Sequence, residues 1–288
     1  EKARSGSNPG GKTKGRCHMD KKSAVFGFIG TGTMGSALAQ AARHTIEGSQ
    51  MLLANRSPEK ALALAQKLEA KVSDNQAIAR EADYILLGVK PQLMEEVLAQ
   101  ISPVLALRKS PFYLVTMATG LTIARIRELA GRSYPVIRVM PNTPVSIGEG
   151  MVQYAYSENV PREALDIFLE AFAWAGRFSS IPEFRMDAGS AVSACGPAFA
   201  DMFLEAMADG GVACGLSREQ AMELAAQMLL GTAKLALESG QHPGALKDAL
   251  CSPGGTTIQG VRRLEQAGFR GAVIDAVIAS YERTLELK

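Results

Sequence analysis

Six residues, Gly30-Thr31-Gly32-Thr33-Met34-Gly35, follow directly on the apolar run 24–29 and precede a helical pattern over 36–42. A glycine triplet at this spacing, between a strand and a helix, constrains the fold more than any other feature of the chain. Gly30 permits a tight turn, Gly32 lets the backbone come close to a bound group, and Gly35 permits close helix–strand packing. The helix start that follows offers unpaired N–H groups and the positive end of its dipole, a pairing suited to phosphate. The segment reads as the pyrophosphate turn of a dinucleotide site. A glycine-rich turn that holds no ligand is the bland alternative.

The wider pattern agrees. Apolar runs at 24–29, 50–54, 84–89, 112–117 and 135–140 alternate with amphipathic stretches up to residue 182. One such stretch, 57–68, opens on Ser57 then Pro58, an N-cap followed by the first helical position. Alternation of this kind predicts a parallel sheet covered on both faces. Runs at 151–156 and 177–181 can extend it. After Glu183 the strand signals stop, and Ala-, Leu- and Met-rich segments recur at helical spacing. Ser217-Arg218-Glu219-Gln220 has the form of a capping box and opens a helix to about Glu238; 269–287 is another. The expected class is therefore α/β: a dinucleotide-binding domain over 20–182, then an all-α domain over 183–288. Several of its helices carry more apolar surface than one small domain can cover, which predicts burial against a second copy of the chain.

Composition excludes several function classes. Of 288 residues 47 % are apolar and 21 % charged, as in ordinary globular proteins. No apolar run reaches the roughly 18 residues of a membrane span, so no membrane association is expected. Residues 1–19 are rich in Ser, Gly, Lys and Arg and lack the apolar stretch of a secretory signal. They read as an added leader, a natural disordered tail being the alternative. Without them 26 basic residues face 28 acidic ones. The formal charge of +2 thus gives no reason to expect nucleic acid as a partner. Cys195, Cys214 and Cys251 form neither a disulfide framework nor a zinc spacing, so a reducing, cytoplasmic setting and no metal are expected.

The end of the second strand selects the nucleotide. A site for NAD places Asp or Glu there to bind the ribose hydroxyl. This chain has Asn55, Arg56 and Ser57, which donate hydrogen bonds to a 2′-phosphate and present no carboxylate to repel it. NADPH is the expected cofactor, with NADH not excluded. Gly88, Val89, Lys90 and Pro91 close one further strand and Met117, Ala118 and Thr119 another. Both turns face the crevice where open α/β sheets bind ligands.

A second anion site is legible near the C-terminus. Ser252-Pro253-Gly254-Gly255-Thr256-Thr257-Ile258 precedes a helical stretch, 259–266. The expectation is that the N–H groups of Gly255, Thr256 and Thr257 face outward to hold a carboxylate. A plain N-cap is the alternative, although it leaves the double glycine unexplained. Outside the leader only His44 and His242 are histidines, and no Ser/His/Asp set is present. Reduction of C=O wants a positioned acid; a protonated imine already carries its proton, so C=N chemistry suits these residues better.

Four segments together resemble the pyrroline-5-carboxylate reductase family: Ser252 to Ile258, Arg138-Val139-Met140-Pro141-Asn142-Thr143-Pro144, Ser193-Ala194-Cys195-Gly196-Pro197-Ala198-Phe199, and Gly240-Gln241-His242-Pro243-Gly244-Ala245-Leu246-Lys247-Asp248. The likeness runs over 25–287. It implies hydride transfer from NAD(P)H to the cyclic imine carbon of 1-pyrroline-5-carboxylate, giving L-proline in the last step of proline biosynthesis. It also implies a Rossmann domain joined to a helical domain that interlocks in a dimer, often assembled into decamers. Carried over by position, the substrate carboxylate meets Thr256 and Thr257, Thr257 lies near the ring nitrogen as catalytic hydrogen-bond partner or proton donor, and Ser252 supports the loop. The cofactor touches Gly30 to Gly35, Ser57, Asn75, Gly88 to Pro91, and Met117 to Thr119. Asn75 comes from the resemblance alone, since 73–75 otherwise reads as a helix cap. Two positions depart from the family pattern. Ala194 and Cys195 stand where Gly and Ser are usual, and Ala249 where some relatives carry an amide.

Two rivals are weaker. A β-hydroxyacid dehydrogenase carries a catalytic Lys on the first long helix of its second domain, and 193–209 contains none. A nucleotide sensor without turnover has no need of a second anion loop.

Overall fold

The computed structural model describes residues 23–286, so the segment read as a leader lies outside the described residues. Eight strands form one sheet: β1 (Phe26–Ile29), β2 (Met51–Ala54), β3 (Lys71–Val72), β4 (Tyr84–Leu87), β5 (Tyr113–Thr116), β6 (Val136–Met140), β7 (Gly150–Tyr156) and β8 (Gly176–Ser180), in the order β3-β2-β1-β4-β5-β6-β7-β8. All neighbours run parallel except β6 and β7. Only residues 141–149 join those two, fewer than a parallel crossover needs, so the chain turns back on itself.

Six helices flank the sheet or follow it closely: α1 (Thr33–Arg43), α2 (Pro58–Leu68), α3 (Asn75–Glu81), α4 (Met94–Leu107), α5 (Ile123–Leu129) and α6 (Arg162–Ala171). Strand residues alternate between two cores because successive side chains point to opposite faces. Phe26, Phe28, Tyr84, Leu86, Tyr113 and Val115 pack with Phe168 and Phe172 on one side. Ile85, Leu87 and Leu114 pack with Ile78, Leu98, Ile101 and Ile126 on the other. Rings of Phe26 and Tyr84 stack at 4.9 Å, and Phe172 meets Phe26 edge-on at 5.9 Å. Complete burial of each such ring contributes about 1.5–3 kcal/mol. Trp174 lies on a short turn after α6. It stacks on His44 at the end of α1, with ring centroids 3.8 Å apart and planes 10° from parallel, and it covers Gly148.

Past Ser180 the fold is helical: α7 (Met186–Ser193), α8 (Gly196–Ala213), α9 (Arg218–Ser239), α10 (Pro243–Ala249), α11 (Thr256–Gln266) and α12 (Phe269–Glu286). The Ser217 hydroxyl accepts from Gln220 N, and the reciprocal bond completes the capping box. α8 and α9 form a hairpin, and α12 packs on α7. Very little of this layer is covered by its own chain. Met202 is 70 % exposed, Leu224 61 % and Ile274 57 %.

Candidate active site

β1, β4 and β5 end at one edge of the sheet, and the turns after them meet there. Gly30 adopts φ +96° and donates its N–H to Ala54 O at 2.9 Å, tying the end of β1 to β2. Gly88 N donates to Ile29 O at 2.8 Å from the other side. The chain packs so tightly here that a Cβ on Gly35 would lie 2.2 Å from Gly30 O, and one on Gly88 2.4 Å from it. Gly32 differs. It is the exposed N-cap of α1, has no side-chain capping bond, and has nothing within 4 Å of where a Cβ would be. Gly30, Gly35 and Gly88 are thus required by the protein's own packing, while Gly32 leaves room for a bound group. Thr33 is exposed beside it and Met34 half-buried. The Thr31 hydroxyl is buried without a hydrogen-bond partner, and Ser36 Oγ donates to Thr31 O at 2.9 Å. An open backbone, an orphaned hydroxyl and the free N–H groups of α1 fit a dinucleotide phosphate.

The remaining residues named from the sequence surround this edge to differing degrees. At the end of β2, Asn55 Nδ2 donates to Ser57 O at 3.2 Å, and Arg56 is exposed. Ser57 is the N-cap of α2, as its sequence suggested, though its hydroxyl makes no capping bond. The cap of α3 is Asp74, which accepts from Ala77 N at 2.8 Å. Asn75 follows it and donates to Gln100 Oε1 on α4 at 2.7 Å. Lys90 is exposed at the start of the Pro91–Leu93 turn, with Val89 half-buried before it. After β5, Met117 and Ala118 are buried and Thr119 is exposed.

The C-terminal loop departs from the sequence reading in one respect. Gly255 N does not face outward: it donates to Ser252 O at 3.0 Å. Pro253 and a Gly254 at φ +70° make the two central positions of a turn that this bond closes, the residue types a type II turn demands. Gly255, not Ser252, is the N-cap of α11, and a Cβ there would lie 2.4 Å from Ser252 Oγ. Gly254 answers to its positive φ, while a Cβ at Gly255 would oblige the Ser252 hydroxyl to turn away. Outward-facing donors remain at Thr256 and Thr257, the exposed first two residues of α11, whose N–H groups precede the first intrahelical acceptor. His242 caps α10 by accepting from Gly244 N at Nδ1, 3.0 Å away, so it serves the local fold.

One ion-pair cluster gave no sequence signal beyond the place of Arg138 in the segment 138–144. Arg138 on β6 is 1 % exposed and pairs with Glu183 and Asp187. A lone Arg in an apolar strand reads equally well as a lone surface charge.

Comparison with known proteins places these features in one family. A family model described as pyrroline-5-carboxylate reductase dimerisation matches residues 183–287, and one described as NADP oxidoreductase, coenzyme F420-dependent, matches 25–110. A pyrroline-5-carboxylate reductase of Methanosarcina acetivorans is 42 % identical over 265 residues, covering 91 % of this chain and 97 % of that protein. The Escherichia coli enzyme of the same name is 39 % identical over 93 % of this chain and 99 % of its own length. The crystal structure of a Plasmodium falciparum pyrroline carboxylate reductase with NADP bound superposes with a TM-score of 0.83 at 33 % identity, covering 92 % of this chain and 98 % of that one. With its mostly parallel sheet, its glycine turn and its helical C-terminal layer, the chain belongs to the pyrroline-5-carboxylate reductase family.

Proposed function

We propose that this protein reduces 1-pyrroline-5-carboxylate to L-proline, with NADPH as the preferred reductant. The observation that carries the reading is the pairing of two helix N-termini, each behind a glycine turn: α1 behind Gly30 to Gly32, and α11 behind Ser252 to Gly255. A bound nicotinamide cofactor supplies the hydride. Gly32 admits its phosphates, and Thr31, Thr33 and Met34 line the same turn. Arg56, Asn55 and Ser57 hold the 2′-phosphate, while Asn75, Gly88 to Pro91 and Met117 to Thr119 border the rest of the cofactor. Thr256 and Thr257 receive the substrate carboxylate on their N–H groups at the positive end of α11. Ser252 keeps that turn closed. The Thr257 hydroxyl lies by the ring nitrogen and orients it or shares its proton. A protonated imine needs no strong acid from the protein, so positioning supplies most of the rate.

The protein works as a homo-oligomer in this reading. Exposed apolar side chains on α8, α9 and α12 are more than a solvated surface carries, and the dimerisation family model covers those helices. A dimer is the basic unit and a decamer the larger assembly. Free Cys195, Cys214 and Cys251 suit a reducing, cytoplasmic location. No helix among the described residues is long and apolar enough to cross a membrane.

The test is NADPH oxidation with 1-pyrroline-5-carboxylate, run beside a simple 3-hydroxy acid with NADP. Rapid oxidation with the pyrroline alone is the expected result. Tight NADPH binding without turnover of either compound would overturn it.

A further inference from the structure

The Arg138 guanidinium reaches both the short turn Glu183–Arg185 and α7, which follows it directly. Nη1 donates to Glu183 Oε1 at 3.2 Å and Nη2 to Asp187 Oδ1 at 3.0 Å. Glu183 Oε1 also accepts from Ile123 N at 2.6 Å. Ile123 opens α5, the helix that follows the turn of Met117, Ala118 and Thr119. Asp187 lies in the first turn of α7 and is 3 % exposed. The last turn of α7 is held as well: Asn142 Nδ2 donates to Ser193 O at 3.0 Å, and Gln153 Nε2 to Ser193 Oγ at 2.6 Å. The sheet therefore grips α7 at both ends, just before the segment Ala194, Cys195 and Gly196. Replacing a buried ion pair by a well-packed apolar side chain is often neutral or stabilising, so stability alone gives no reason for an arginine here. An apolar residue fills space but does not tie β6 to α7 and, through Glu183, to the start of α5. A lysine has one ammonium and lacks the planar fork that meets two carboxylates in fixed directions.

We propose that Arg138 is a positioning residue. Through Glu183 and Asp187 it fixes α7, and the helical layer that packs on α7, relative to the turn of Met117 to Thr119 on the cofactor side. The inference rests on the reductase reading above, because that reading makes this relative placement the distance over which hydride moves.

The test uses the full chain as wild type, Arg138→Lys and Asp187→Asn. For Arg138→Lys the expected result is a kcat lowered at least tenfold, a KM for the pyrroline raised less than threefold, and an NADPH Kd within twofold of wild type. With NADPH deuterated at the transferred position, the isotope effect on kcat grows. Hydrogen exchange in the free protein speeds up over residues 117–123 and 186–196 and not elsewhere. Asp187→Asn moves every readout the same way by less, and it stands in if Arg138→Lys fails to fold. A kcat within threefold of wild type overturns the proposal. So does a loss of activity matched by equal loss of NADPH binding with faster exchange throughout, which marks a purely structural role. An inactive wild type refutes the reductase reading instead. The exchange arm then still decides the joint, since no change in either segment overturns it.

Discussion

Gly32 and Gly35 lie three residues apart in one turn, and the structure gives them opposite sensitivities to a single methyl group. At Gly32 the backbone is extended, with φ −72° and ψ −169°, and a Cβ meets nothing within 4 Å. Alanine is allowed there. It restricts the unfolded chain, a gain of about 0.4–1 kcal/mol, and is a poorer N-cap than glycine by a similar amount. The net change in stability is close to zero. At Gly35 the new carbon would lie 2.2 Å from Gly30 O, a backbone atom that cannot rotate away. α1 must move outward to relieve the contact, and overpacking of this kind costs about 1–3 kcal/mol. In a chain of this size that lowers Tm by roughly 2–10 °C. Gly32→Ala is thus expected to keep its Tm within about 2 °C of wild type while weakening NADPH binding at least tenfold. Gly35→Ala is expected to lose both. Circular-dichroism melts and a titration followed by NADPH fluorescence measure the two quantities separately. A Gly32→Ala protein that binds NADPH like wild type, or melts as early as Gly35→Ala, would refute the assignment of Gly32 as the open face of the phosphate turn.

Further outcomes follow from other parts of the molecule. Arg56→Ala should reduce the ratio of kcat/KM for NADPH over NADH by about tenfold, the scale of one charge-assisted hydrogen bond; an unchanged ratio removes Arg56 from the 2′-phosphate. Thr257→Ala should lower kcat by about 10²-fold and leave the NADPH Kd unmoved, whereas equal loss of both makes Thr257 a structural residue. Leu224→Asp combined with Ile274→Asp buries charge in the proposed interface and should shift the protein to monomer by light scattering; an intact oligomer places the interface elsewhere. Burial holds the Asp83 carboxyl above its ordinary 3.8, against the lowering pull of Val25 N–H and Arg108. A carboxyl whose folded pKa is raised stabilises the protein when protonated, and that contribution fades as pH rises through the folded value. Asp83→Asn should therefore gain stability relative to wild type between pH 4 and pH 7 in urea titrations, and a relative loss over that range would reverse the sign.

Strands were legible where they are buried on both sides. A parallel strand covered by helices is apolar throughout, so 24–29, 50–54, 84–89, 112–117 and 135–140 stand out, and each contains a strand one or two residues shorter. β3 escaped notice because it has two residues, both exposed. The reversal at β7 is not written in its own residues; it follows from the short connection before it. Helix starts read less well: α1 and α11 each begin three residues earlier than their apolar periodicity, because Thr33 and Thr256 belong to the exposed turn facing the expected ligand. At the site, the spacing of Gly30, Gly32 and Gly35 conveys their different tasks, since steric needs of that kind are local. The Gly255 N–H turns inward, against the outward donor expected from the sequence, for the same local reason, the turn that Pro253 and Gly254 impose on it. The pairing of Arg138 is not legible in the sequence, because its partners lie 45 and 49 residues away and only the folded chain joins them.

Trp174 is the only tryptophan of the chain, and it stands on the sheet side, stacked on His44. Its emission therefore reports the dinucleotide domain and is blind to the helical layer, while most far-ultraviolet ellipticity comes from helices that include the long α8, α9 and α12. Melting curves from the two signals coincide only if both halves unfold as one cooperative unit. Because tryptophan emission overlaps reduced-nicotinamide absorption, the same side chain gives a label-free energy-transfer signal for cofactor capture.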